Sequence, residues 1–392
     1  MRTDHVLEPS ATAQPAQFCL PDGIVYLDTA AHGPRLRSVQ HAASAALDAA
    51  SKPWQPSEAD WEAAIERVRA LAADCFDGDA SAIALVPSAA YGMAVAANNV
   101  PLARGDGVLV LAGTFPSQWL AWQRRCAQVG ARIVAVQAMP GESATDAVVR
   151  TLATDPSVRV LLLAHVDWRD GSVLDLDAIA ARAHAAGAAL VLDLSQSLGA
   201  YPAHVARWRP AFAVTVGYKW LLGPAGLAYV WAAAPWREHG EPIEHHWLAR
   251  DPEQVWLGDV RRVPAFRAGA RRFDAGGVAD PMRLAMAEAA LAQIGAWRIE
   301  AIAPALHSRT AALADGLRAL GLSSWLAPAA TAHILGVRPP RERLQAVAGA
   351  LARAGIVATV RQGYVRLAPH LHVGAGAMAS VAAVMAAAAR DA

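Results

Sequence analysis

The chain reads as an α/β protein, with a mainly parallel seven-stranded sheet in a large domain and a smaller C-terminal α/β domain. Three observations predict this. From about residue 60, short runs of β-branched and aliphatic residues alternate with alanine-rich stretches of helical period. The runs are continuously apolar, as strands covered on both faces should be. And 392 residues exceed one ordinary domain and suffice for a large core.

In chain order, strands are expected over 82–86, 107–111, 131–136, 158–165, 188–194, 212–216 and 226–232, with amphipathic helices over 117–129, 142–154 and 175–186 between them. Strands that alternate with helices pair in parallel, because each crossover returns the chain to the same end of the sheet. Residues 236–280 are rich in Arg, His, Trp, Pro and Gly and read as an irregular connection. Beyond them the pattern predicts a long helical stretch over roughly 280–318, then a strand over 333–337, a helix over 340–354, strands over 356–360 and 363–368, and a helix over 374–390. This places the large domain at 41–260 and the small one at 1–40 with 261–392.

A composition of 55% hydrophobic and 18% charged residues describes a compact globule. A formal net charge of +1 supplies no field to gather nucleic acid or acidic lipid. The longest apolar runs, such as "VRVLLLAHV", are too short to span a bilayer. The N-terminal "MRTDHVLEPSATAQPAQF" has no apolar core, so no signal peptide is expected. Cys19, Cys75 and Cys126 are odd in number and lack metal-ligand spacing, which predicts a reducing, cytoplasmic setting. The histidine pairs in "EHHW" and "HLH" have no third ligand at zinc spacing, so no metal is expected.

Among 35 basic residues only Lys52 and Lys219 are lysines. Arginine supplies surface charge equally well; a primary amine alone can lose its proton and attack a carbonyl. Lys219 lies in "VTVGYKWLLGPAG", after an apolar strand and before a glycine-proline turn, at the strand end where open α/β sheets bind ligands. "AALVLDLSQSLGA" puts Asp193 at the carboxyl end of another such strand. Taken singly, the two read equally as a surface lysine and a helix cap. Together they suggest pyridoxal 5'-phosphate, with the lysine forming a Schiff base and the carboxylate holding the pyridine nitrogen protonated.

The motifs then resemble, in order, those of fold-type I pyridoxal-phosphate enzymes of the class V aminotransferase superfamily, which includes cysteine desulfurases, kynureninases and isopenicillin-N-epimerase-like proteins. "VYLDTAAHGPRL" resembles the N-terminal loop, "HVDWRDGSVLDLDAIAARAHAAGAALVLDLSQSLGA" the central strand–helix–strand block, "GYKWLLGPAG" the lysine motif and "GYVRLAPHLH" the C-terminal arginine motif. The resemblance implies Lys219 as Schiff-base lysine and proton carrier, with Asp193 on the pyridine nitrogen. It puts Gln196 on the phenolic oxygen and Phe115, in "AGTFPSQW", on the ring face. Ser88, Ala89 and Ala90 would meet the phosphate, Ala90 standing where relatives carry Thr or Ser, and Tyr218 would reach it too. Gly276 and Gly277 match a loop that serves the neighbouring subunit's phosphate in a homodimer. Arg366 would grip the substrate carboxylate, with His32 and Ala31 beside the substrate. His165, Asp167 and Trp168 would line the cofactor's surroundings.

The implied reaction is chemistry on an α-amino acid, leaning to β-elimination or Cβ–X cleavage of the kynureninase or C–S lyase kind. A class V aminotransferase using a 2-oxo acid, an amino-acid epimerase and a non-catalytic cofactor-binding protein are the alternatives. Desulfurases that pass sulfur to a mobile cysteine are disfavoured, because no cysteine follows Cys126.

Overall fold

In the computed structural model, residues 13–327 and 332–390 are described; residues 1–12, 328–331 and 391–392, all in the expected small domain, lie outside. The seven expected strands form one sheet: β1 Ile83–Val86, β2 Gly107–Leu111, β3 Arg132–Val136, β4 Val158–Ala164, β5 Ala189–Asp193, β6 Phe212–Val216 and β7 Ala228–Ala232. Their order is β1-β7-β6-β5-β4-β2-β3. All pairings are parallel except those of β7, which is antiparallel to both neighbours. No helix lies between β6 and β7, and without that crossover the chain turns straight back. Six strands therefore point their carboxyl ends to one edge.

Residues along each strand divide between two cores. Leu161 and Leu163 join one buried cluster, Val160 and Leu162 the other, which is the period of two applied to a sheet covered on both faces. That is why these strands read as unbroken apolar runs.

Two expectations need refinement. The helical stretch expected over 280–318 consists of two helices, Pro281–Trp297 and Ile299–Ala319, broken at Arg298, whose φ is +64°. A positive φ at an arginine has no sequence signature, and helical period on both sides conceals the break. The strand expected over 356–360 changes partner at Ala358. Ile356–Val357 pairs in parallel with Val25–Tyr26, while β9 (Thr359–Arg361) pairs with β10 (Tyr364–Leu367). With β8 (Leu335–Val337), β9 and β10 form a small antiparallel sheet with β10 in the middle. The helix Pro281–Trp297 lends Leu284, Leu291 and Ile294 to the core beneath the large sheet.

The N-terminal segment ties the two sheets together. The Leu27 amide donates to Val357 O at 2.8 Å, the Ala368 amide to Leu27 O at 2.7 Å, and the Gly33 amide to Tyr218 O at 2.8 Å. Gly33 packs so closely that a Cβ there would lie 2.3 Å from the Lys219 carbonyl oxygen. The segment after residue 268 is fixed by a buried ion pair, Arg69 Nη2 to Asp274 Oδ2 at 2.7 Å, and Asp274 Oδ1 also accepts from the Leu85 amide at 2.8 Å.

Candidate active site

At the carboxyl edge of the sheet the loops enclose a cavity of 520 Å³. Nine of the residues singled out in the sequence line it: Ser88, Ala89, Ala90, Phe115, Asp167, Asp193, Gln196, Tyr218 and Lys219, with Trp168 beside them. They come from five strand ends, so one sheet edge accounts for their meeting.

Lys219 sits in the turn after β6. The Leu222 amide returns to the Lys219 carbonyl at 3.2 Å, and Leu222 is held at φ +56°, a left-handed conformation costly for a branched side chain. The Lys219 amine lies 5.8 Å from the centre of the Phe115 ring. Burial pushes its pKa down to about 8; Asp193 opposes the shift and the Arg366 guanidinium adds to it. A lysine so placed is half neutral near pH 8, where an ordinary lysine is almost wholly charged, and the neutral form is the one that accepts a proton.

Asp193 ends β5. Its Oδ1 accepts from the Ser195 amide at 2.9 Å, which leaves Oδ2 as the remaining acceptor. Burial and the Asp193 charge push the Tyr218 phenol upward, so it stays a neutral donor. Gln196 is fixed from three sides. Its Nε2 donates to Ala30 O at 2.9 Å, its Oε1 accepts from the Trp220 indole at 2.9 Å, and its carbonyl meets His333 Nε2. The amide keeps one free hydrogen on Nε2.

Ser88 caps the helix Ala89–Asn99 by accepting from the Tyr91 amide at 3.1 Å. The Ala89 and Ala90 amides, in the first turn, have no intrahelical acceptor and lie at the cavity wall, the usual geometry of an anion site. Phe115 caps the next helix, Pro116–Val129, and meets the Trp168 ring edge-on at 5.4 Å and 80°. The Trp168 indole donates to Gly113 O at 2.9 Å, fixing the pair. The Asp167 carboxylate is occupied by Arg169, with contacts of 2.8 and 3.0 Å and the Arg169 amide at 2.7 Å.

Six expected residues lie off this cavity wall. Arg366 is buried in β10, donating from Nη2 to Asp28 Oδ1 at 2.8 Å and from Nη1 to Trp168 O at 2.9 Å. Ala31 adjoins Asp28 in the N-terminal loop, its amide donating to Asp28 O at 2.9 Å. His32 is exposed and rests on Tyr218 at 5.1 Å. Gly276 and Gly277 are exposed on a separate loop, where Glu244 accepts from the Gly276 amide at 2.8 Å. The expectation for His165 is corrected. The side chain points away from the cavity to pack edge-on against Tyr201 and Trp208, and burial lowers its pKa to about 3.

The sequence reading missed Gln118. It lines the cavity, is 1% exposed, and neither amide atom has a partner. A buried unpartnered amide costs about 1–3 kcal/mol, which is tolerable in a cavity that receives a polar ligand. Its position next to Phe115 in "TFPSQW" was the available signal. Also missed were Trp220, His333 and Asp28, whose side-chain contacts are long-range.

The profile of the class-V aminotransferase family matches residues 25–386. The chain belongs to the class-V aminotransferase family. Among curated proteins, a kynureninase of Deinococcus radiodurans is 32% identical over 67% of this chain and 63% of its own length. A cysteine desulfurase of Klebsiella pneumoniae is 30% identical over 47% and 48%. The chain thus spans less than two thirds of each of these relatives. The same fold is seen in the cystine C–S lyase C-DES in complex with cysteine persulfide (TM-score 0.80, 20% identity, 92% and 97% covered) and in a cysteine desulfurase from Thermococcus onnurineus (TM-score 0.79, 18% identity, 95% and 96% covered).

Membership in the class-V aminotransferase family implies pyridoxal 5'-phosphate, and the residues present suit it. The cavity offers an amine, a carboxylate on the adjacent strand, free helix amides and the orphaned Gln118 amide. Among the described residues no three His, Cys, Asp or Glu side chains are grouped to hold a metal, and no helix is long and apolar enough to cross a membrane.

Proposed function

We propose that the protein is a pyridoxal-phosphate enzyme that cleaves a Cβ–X bond of an α-amino acid. The observation that carries this reading is the pair Lys219 and Asp193 facing one cavity whose lining includes none of the three cysteines. A persulfide-forming thiol is therefore not at hand, whereas C–S and C–C lyase chemistry needs none. When bound, the cofactor supplies a sink for the electron pair left at Cα.

The chain's own residues supply the rest. Asp193 holds the proton on the pyridine nitrogen, and the Ala89 and Ala90 amides with the Ser88 hydroxyl and Tyr218 hold the phosphate. Gln196 offers its free hydrogen to the phenolic oxygen. Phe115, braced by Trp168, covers the ring and excludes water. Asp167 holds Arg169 and so shapes the loop that carries Trp168. Lys219, half neutral near pH 8, takes the proton from Cα and passes it to the group that departs from Cβ. Arg366 receives the substrate carboxylate, with Ala31 and His32 at the rim of the substrate site.

We further assign the small domain to 1–40 with 261–392 and the large one to 41–260. A homodimer in the cytoplasm is part of the same reading, with Gly276 and Gly277 serving the partner's phosphate site. Exposed Trp256, Leu257, Val260 and Val263 on the preceding loop support it, since apolar groups there gain from being covered. A screen of α-amino acids with and without 2-oxo acids tests the reaction. Release of pyruvate or alanine without an acceptor is expected. Strict dependence on an acceptor would make the protein an aminotransferase, inversion at Cα an epimerase, and cofactor binding without turnover a non-catalytic binder.

A further inference from the structure

Arg366 and Asp28 are 338 positions apart in sequence and meet at 2.8 Å. Both are nearly inaccessible, with side-chain exposures of 3% and 12%. The guanidinium is only partly used. Of its five N–H donors, one goes to Asp28 and one to the Trp168 carbonyl, while Nε is buried without any partner. A buried charged donor left bare is costly unless something arrives to accept from it.

Asp28 cannot swing clear to make room. Its second oxygen accepts from the Thr359 hydroxyl, its carbonyl accepts from the Ala31 and His32 amides, and the residue bridges to Ala368 next to β10. The carboxylate is thus a fixed brace rather than a displaceable stand-in for substrate. Resting on the reading of Arg366 as the substrate-carboxylate group, we propose that Asp28 is a positioning residue. It holds Arg366 through Nη2 and keeps Nε and the remaining hydrogens for an incoming carboxylate.

The electrostatics agree. Arg366 lowers the Lys219 pKa and Asp28 raises it. The other charged or titratable groups facing this pair are Asp193 at Lys219 and Tyr26, whose phenol burial and Asp28 push up to about 12.

Asp28→Asn tests the proposal, since it keeps shape and hydrogen-bonding capacity while removing charge. The first probe is L-alanine against L-alaninamide, which lacks the carboxylate, followed by the change in visible absorbance of the reconstituted protein. We expect L-alanine to bind about tenfold more weakly, the equivalent of one lost charge-assisted contact, and L-alaninamide to be changed by less than about twofold. Equal weakening of both, or tighter L-alanine binding, would overturn it. The second probe is acetylation of Lys219 against pH in the apoprotein, read by peptide mass with Lys52 as internal standard. Its midpoint should fall in Asp28→Asn and rise in Arg366→Met. An unchanged midpoint in both would overturn the placement of the braced pair next to Lys219. Because this arm needs no cofactor, a protein that refuses pyridoxal phosphate would refute the proposed function while the positioning of Arg366 is still judged.

Discussion

The two halves of the site are built in opposite ways. The half proposed for the cofactor lies along one sheet edge and leaves its groups open: helix amides at Ala89 and Ala90, the bare amide of Gln118, the low-pKa amine of Lys219. The half proposed for the substrate joins the N-terminal loop to β10 and keeps its charge paired, Arg366 with Asp28. Open groups gain their partners only from a ligand and so cost stability while they wait; in the paired half Asp28 offsets the cost of burying the guanidinium, and losing either partner would strand the other. Removing a residue from each half should therefore push folding and function in different directions.

Lys219→Ala separates the two most sharply. Turnover should fall on the order of 10⁴-fold, with loss of the cofactor's visible band, while the unfolding midpoint of the apoprotein stays level or rises. A marked loss of apoprotein stability would contradict the contrast. The pH dependence has the same origin. The folded pKa of about 8 lies below the ordinary lysine value of 10.5, so the unfolded chain binds more protons between the two. Apoprotein stability should rise with pH through that window, and Lys219→Ala should flatten the slope in denaturant titrations.

Arg366→Met tests the other half. Breaking one member of a buried pair strands Asp28, and about 3–5 kcal/mol of stability should be lost even without ligand. A denaturant curve matching the parent protein would show that the pair is no brace. Gln118→Leu should reverse the sign: the apoprotein should gain about 1–2 kcal/mol as the bare amide disappears, while cofactor retention on dialysis weakens. A gain in both would mean that Gln118 faces no ligand.

The same division governs what could be read in advance. The seven strands and the residues at their ends were legible because a buried parallel strand leaves a local imprint, an apolar run closed by small or polar residues. Lys219, Asp193 and Ser88 are all of that kind. What escaped depends on contacts far apart in sequence or on backbone that residue type does not announce. The Asp28–Arg366 pair, the support of Gln196 by Trp220 and His333, the partner change at Ala358 and the positive φ at Arg298 belong there. Arg366 itself was visible through its motif, but its being already committed to Asp28 was not.

That 338-residue separation also sets an order of assembly. A ribosome adds about 5–20 residues per second, so the N-terminal loop waits tens of seconds for the strand that completes it. By then the large sheet, whose seven strands end at Ala232, has been synthesised in full. The cofactor edge can form on the nascent chain, and the substrate wall closes over it last.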